Sequence, residues 1–186
     1  MKSRTGPGLL FDALAFAAHK HRAQRRKDKE ASPYINHPIA LADVLANEGG
    51  VVDPVTLCAA LLHDTIEDTR TTYRELRENF GREIADVVME VTDDKTLRKY
   101  VRKRRQIEHA PHLSRRAKLV KLADKICNLR DIVSNPPATW PLLRKQKYYE
   151  WAKRVIDALR GAHPGLERLF DREYARKPGV KLSSSP

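Results

Sequence analysis

Apolar residues recur at three- and four-residue steps along most of the chain, the period of amphipathic helices. Over Leu9 to His21 the stripe is Leu10, Leu14, Ala17 and Ala18. Gln24 to Asn36 is polar and carries Pro33, which predicts a loop. Pro38 then sits where a first-turn proline is tolerated, opening a helix closed by Gly49-Gly50. Asp53-Pro54 joins an acceptor cap to a helix-starting proline and predicts one continuous helix to about Asp68. Thr71 or Thr72 with Glu75 resembles a capping box for a short helix closed by Gly81. Helices follow over Arg82 to about Val91, Tyr100 to His109, Ser114 to about Val133 and Leu142 to Leu159, and a last short one starts at His163-Pro164. No strand-type alternation exceeds four residues, and there is no internal repeat. The pattern predicts an all-α single domain of about eight or nine helices over 1–176, with 177–186 as a disordered tail.

Composition narrows the class. A chain of 186 residues suits one domain, able to bury roughly two-thirds of its unfolded surface. At 41% hydrophobic and 32% charged residues it is neither a disordered nor a membrane composition. Apolar runs such as Thr56 to Leu62 fall far short of the ~18 residues of a spanning helix. Met1 to Gly8 lacks the charged-then-apolar order of a secretion signal. Cys58 and Cys127 lie in apolar helical surroundings and read as buried thiols of a reducing compartment, which predicts a cytoplasmic protein. The 36 Lys and Arg against 24 Asp and Glu give a net charge of +12. Asp64 to Asp94 holds ten acids and four arginines, so that segment carries −6 and the remainder +18. Positive groups bunch at Lys20 to Lys29, Arg98 to Arg105, Arg115 to Lys121 and Arg144 to Arg154. Such polarity fits a nucleic-acid binder, an enzyme for anionic substrates, or solvated helix faces, and charge runs most often simply face water.

Chemistry enters where polar groups interrupt apolar helices. The run His63-Asp64-Thr65-Ile66-Glu67-Asp68 ends a helix whose packed stripe is Val55, Cys58, Ala59, Leu62 and Ile66. In one continuous helix His63 and Glu67 are a turn apart, as are Asp64 and Asp68. The later helix around Leu122, Ala123, Ile126 and Leu129 carries one polar stripe of Lys121, Asp124, Asn128 and Asp131. Burying so many titratable groups is costly unless they are paired or bind a metal. Taken singly, His37 would more often be a satisfied loop or core histidine, and Asp64 and Asp124 ion-pair partners of Arg130 or Lys121. Taken together, His37, His63, Asp64 and Asp124 form a mixed nitrogen and oxygen donor set suited to Mn²⁺, Fe²⁺ or Zn²⁺. An ion so held supplies a water of lowered pKa, which Glu67 or Asp68 would orient or deprotonate. His19, His21, His109, His112 and His163 read as ordinary surface or capping residues.

Four stretches then carry a resemblance: QRRKD with PYINHP (Gln24 to Pro38), AALLHDTIEDT (Ala59 to Thr69), EVTDDK (Glu90 to Lys95) and AKLVKLADKICNLRD (Ala117 to Asp131). In this order they resemble the HD-domain phosphohydrolases, and closely the stand-alone alarmone hydrolases of the RelA/SpoT family, over about Leu14 to Leu159. The resemblance implies a single HD-domain helical bundle that removes the 3′-diphosphate of guanosine 3′,5′-bis(diphosphate), or of its pentaphosphate form, as pyrophosphate with Mn²⁺. It implies metal ligands at His37, His63, Asp64 and Asp124 and a catalytic acidic pair at Glu67 and Asp68. It further implies nucleotide contacts at Arg26, Lys27, Asn128 and Tyr148. Asp131 departs from the uncharged residue that some long members carry.

The chain ends about ten residues past its last predicted helix, so the synthetase and regulatory modules of long members are not expected in it. Two other functions compete. A basic helical nucleic-acid binder would use the RKYVRKRR run from Arg98 to Arg105, but 6% aromatic residues are few for base stacking, and the acids on apolar helices stay unexplained. An HD-domain phosphatase for NADPH or a nucleoside monophosphate would keep fold and metal and change the substrate. The expected partner is therefore a small nucleotide, without nucleic acid or membrane, and the sequence is silent on oligomeric state.

Overall fold

Two deeply buried helices hold the bundle together. The computed structural model describes residues 6–179. Its helices are α1 (Pro7–Lys20), α2 (Asn36–Asp43), α3 (Pro54–Leu62), α4 (Thr65–Asp68), α5 (Tyr73–Phe80), α6 (Arg82–Val91), α7 (Lys99–His109), α8 (Arg115–Ser134), α9 (Leu142–Asp157) and α10 (Pro164–Ala175). A π-helical turn, Val44–Glu48, follows α2, and a 3₁₀ turn, Ala110–His112, follows α7. Among the described residues the only β-type pairing is an isolated bridge between Arg25 and Pro33, so the all-α expectation holds. α3 is buried from Thr56 to Leu62 and packs against α1, α2, α6 and α8. α8 buries half of its 20 residues and touches α2, α3, α6, α9 and α10. The metal-type residues lie where these two helices meet α2.

The caps read from the sequence are in place. The Asp53 carboxylate accepts from Thr56 N at 3.1 Å and starts α3 behind Pro54. The same carboxylate takes Arg116 Nε at 2.9 Å, which ties the first turn of α8 to the start of α3. Thr72 Oγ1 caps α5 through Glu75 N, Ser114 Oγ caps α8 through Ala117 N, and His163 Nδ1 caps α10 through Leu166 N. Each satisfies a helix-end amide that would otherwise lack a partner.

Three expectations need correction. The helix expected to run from Pro54 to Asp68 is two helices, broken at His63 and Asp64, where Asp64 adopts φ −99°, ψ 0°. Thr65 Oγ1 donates to Leu62 O at 2.7 Å and His63 Nδ1 to Ala60 O at 2.8 Å, so side chains occupy carbonyls that straight helix amides would use. The helix from Pro38 widens into the π turn, with Gly49 N reaching Val44 O at 2.9 Å. Glycine is required there, because a Cβ would stand 2.8 Å from Leu45 O and 3.0 Å from the Leu166 side chain on α10. His21, expected at the surface, is 2% exposed beneath the loop of residues 24–36. Cys58 and Cys127 are buried free thiols as expected. Of the expected tail, Lys177 Nζ meets Glu150 at 2.6 Å and Pro178 O accepts from Gln146 Nε2 at 3.1 Å, while 180–186 lie outside the described residues.

Candidate functional site

α2, α3 and α8 each deliver one donor to a common point. His37 lies in the first turn of α2, fixed by Tyr34 O accepting its backbone amide at 3.0 Å and by Pro38 after it. His63 closes α3, and Asp124 lies mid-way along α8. The ligand atoms of His37, His63 and Asp124 fall within 4.8 Å of one another, and both histidines are buried. Asp64, outside this trio, stands beside it at the helix break: its Oδ2 lies 2.9 Å from His63 Nε2 and accepts the Tyr34 hydroxyl. Asp124 Oδ1 lies 3.3 Å from His37 Nε2 and accepts from Asn128 Nδ2 at 2.5 Å, while its Oδ2 takes Lys125 Nζ at 2.7 Å.

The donor chemistry fits a divalent ion. The Ala60 carbonyl accepts the Nδ1 proton of His63, which turns the Nε2 lone pair toward the two carboxylates. That Nε2 and His37 Nδ1 are buried without a hydrogen-bond partner, a costly state that an ion at Nε2 relieves for His63. Without an ion the centre responds as acids crowded on imidazoles must. Burial pushes the His63 imidazole down, but the Asp64 carboxylate outweighs it and raises it to about 9. Burial likewise works against Asp64 and Asp124, yet His63 holds the first, and Lys125 with His37 the second, well below the usual carboxylate range.

Glu67 and Asp68 project from α4 beside this centre. Burial first, then the Asp64 charge, lifts Glu67 to about 7. Its Oε2 accepts from Asp93 N at 3.1 Å, and Arg102 Nη1 lies 3.7 Å from Oε1. Asp68 accepts from Gln24 Nε2 at 2.8 Å and from Lys95 Nζ. A cleft of about 980 Å³ opens from His37 and Asp68 toward Arg26, Lys27, Asn128 and Tyr148. Arg26 donates to Asp131, with its guanidinium carbon 5.7 Å from the Tyr34 ring centre. A second cavity of about 510 Å³ shares Trp140 and Tyr148 with the first and is lined by Lys99, Lys103 and Arg144. Among the described residues Asp93 is its one acid; Lys103 lies over Trp151 at 4.4 Å and Arg144 over Trp140 at 4.4 Å.

The structure thus places all ten residues singled out from the sequence in or beside one continuous site. It adds others. Tyr34, Gln24 and Lys95 were inside the quoted motifs, and only their contacts reveal what they hold. Arg102 sat in a charge run that reads as solvated. Lys125 carried a visible signal, a charge among Leu122, Ile126 and Leu129, outside the polar stripe of its helix. His21, behind the site, bonds Gln24 Oε1 at 2.7 Å through Nδ1 and backs the Tyr34 ring at 4.8 Å.

The profile of the HD domain family matches residues 13–153, which takes in every one of these groups. The chain belongs to the HD domain family. HD-domain hydrolases bind a divalent metal ion, as the donor set here fits. A family member from Xenopus tropicalis, the guanosine-3′,5′-bis(diphosphate) 3′-pyrophosphohydrolase MESH1, is 53% identical over 166 residues, 89% of this chain and 93% of its own. The Homo sapiens protein of the same name is 56% identical over 168 residues, 90% of this chain and 94% of its own. A solved HD-family structure, described as a metazoan ortholog of SpoT that hydrolyses ppGpp and plays a role in starvation responses, matches with a TM-score of 0.89 at 44% identity, covering 94% of this chain and 98% of that one.

Proposed function

We propose that this chain is a cytoplasmic, Mn²⁺-dependent 3′-pyrophosphohydrolase acting on guanosine 3′,5′-bis(diphosphate) and its pentaphosphate form. The observation that carries the reading is the meeting, at His37, of the imidazole and carboxylate centre with a basic cleft of nucleotide size, about 980 Å³. The relatives named for this activity support the choice of substrate. His37, His63, Asp64 and Asp124 would hold the ion, which when bound polarises the phosphoryl group and supplies a water acidic near neutral pH.

The chain's own groups do the rest. Arg26, held by Asp131 against Tyr34, presents a flat guanidinium to the purine, and Lys27 adds a point charge at the cleft mouth. Asn128 gives its amide to Asp124 and keeps its carbonyl for the nucleoside; Tyr148 walls the ribose side. Lys99, Lys103 and Arg144 beyond Tyr148 receive the second phosphate chain of the substrate. Glu67 Oε2 is held by the Asp93 amide, which leaves Oε1 to take a proton from the attacking water, while Asp68 orients that water. The water oxygen bonds to the phosphorus attached to O3′, the P–O3′ bond breaks, and O3′ takes up a proton. GDP or GTP and pyrophosphate leave.

Product analysis tests this reading. With Mn²⁺, guanosine 3′,5′-bis(diphosphate) should yield pyrophosphate and GDP, faster than NADPH or a nucleoside monophosphate loses orthophosphate under the same conditions. Orthophosphate as the sole inorganic product, or faster turnover of either comparator, overturns it.

A further inference from the structure

Lys125 is a buried charged group beside the metal centre that neither offers a donor atom to an ion nor lines the nucleotide cleft. It lies on α8 among buried Leu122, Ile126 and Leu129 and is itself 3% exposed. Side chains at neighbouring helix positions diverge by about 100° and do not face each other. Lys125 Nζ nonetheless lies 2.7 Å from Asp124 Oδ2. Trp151 of α9 lies against that ammonium, 4.5 Å from Nζ to the ring centre, and is anchored by its own Nε1 donating to Lys103 O at 3.0 Å. Asp124 Oδ1, in contrast, faces His37 Nε2 at 3.3 Å and accepts from Asn128 Nδ2 at 2.5 Å. The two oxygens of one carboxylate therefore have different neighbours: imidazole and a neutral amide at Oδ1, a caged cation at Oδ2.

We propose that Lys125 is a positioning residue that confines Asp124 to a single donor oxygen, Oδ1, toward the divalent ion, with Trp151 holding the ammonium in place. The proposal rests on the hydrolase reading above. An ammonium on Oδ2 stops the carboxylate from turning to offer both oxygens, and a second oxygen would take a coordination position that solvent or substrate needs. It also offsets one negative charge in a centre crowded by Asp64, Asp124 and Glu67, as groups behind metal ligands commonly do.

The test compares Lys125→Met and Lys125→Arg in the full chain loaded with Mn²⁺. Methionine keeps the stem and loses the charge. It should bind Mn²⁺ at least as tightly as the wild type, lower kcat by about tenfold or more and leave KM within about threefold. The Mn²⁺ electron paramagnetic resonance spectrum should change, and water-proton relaxation should report fewer exchangeable solvent molecules. Arginine should restore both signals most of the way. Wild-type kcat and relaxation in Lys125→Met overturn the proposal, as does a Lys125→Arg enzyme as impaired as Lys125→Met. Should Lys125→Met not fold, Trp151→Leu, which keeps the lysine and removes its support, carries the same comparison with the same expected direction. If wild-type protein releases no pyrophosphate from the nucleotide, the functional reading fails, while the relaxation comparison still decides the role of Lys125.

Discussion

Glu67 sits where burial and the Asp64 charge both penalise its ionised form, and the folded protein pays in stability for a carboxyl that titrates near neutrality. Its carboxyl is raised from 4.5 to about 7, so between those values the folded chain holds a proton that the unfolded chain has shed. Stability then falls as pH rises through this window, and the full penalty stands above about 7. Glu67→Gln removes it. In metal-free protein the melting temperature of Glu67→Gln should gain on the wild type between pH 5 and pH 8, and the variant should lose about 10²-fold or more in kcat. A pH-independent difference in melting temperature would show that Glu67 is not the strained group. At this scale the sequence was informative about charge-bearing residues that interrupt apolar stripes, such as His63 and Asp124. It was silent on Tyr34 and Gln24, whose importance lies in what they touch thirty or more positions away.

The break between α3 and α4 is the element that shapes the centre. It aims His63 back at Ala60 O and turns Asp64 toward Tyr34, which a straight helix would not do. No glycine or proline marks it, so local propensity read straight through; buried side-chain bonds impose it instead. Thr65 is the simplest probe, since valine keeps its shape and loses the bond to Leu62 O. Leaving that buried carbonyl unpaired costs about 1–3 kcal/mol, a fall of several degrees in melting temperature. Thr65→Val should also reduce kcat more than it raises KM, because the groups it displaces act on the reacting atoms. Wild-type melting and kcat together would mean that the break stands without this bond. The caps at Asp53, Thr72, Ser114 and His163, by contrast, were legible because each is a local rule with its residues adjacent in sequence. The π turn was not: no local rule marks Val44–Glu48, and the Leu166 side chain that closes on Gly49 after it comes from α10.

At the scale of the molecule, the uneven charge resolves into one device. The acidic segment from Asp64 to Asp94 brings Asp64, Glu67 and Asp68 to the donors His37, His63 and Asp124, and basic groups stand around them: Arg26 and Lys27 in one cavity, Lys99, Lys103 and Arg144 in the other. Charge runs that would read as solvated faces line two adjoining cavities: α7 packs against α9, and Trp140 and Tyr148 stand in the wall of both. In the function proposed above, four side chains from three regions of the chain would hold one ion. Metal content after dialysis measures this most directly. Wild-type protein should retain close to one equivalent of Mn²⁺, and His63→Ala and Asp124→Asn, each folded by circular dichroism, should retain almost none. An undiminished equivalent in either variant, or none in the wild type, contradicts the account.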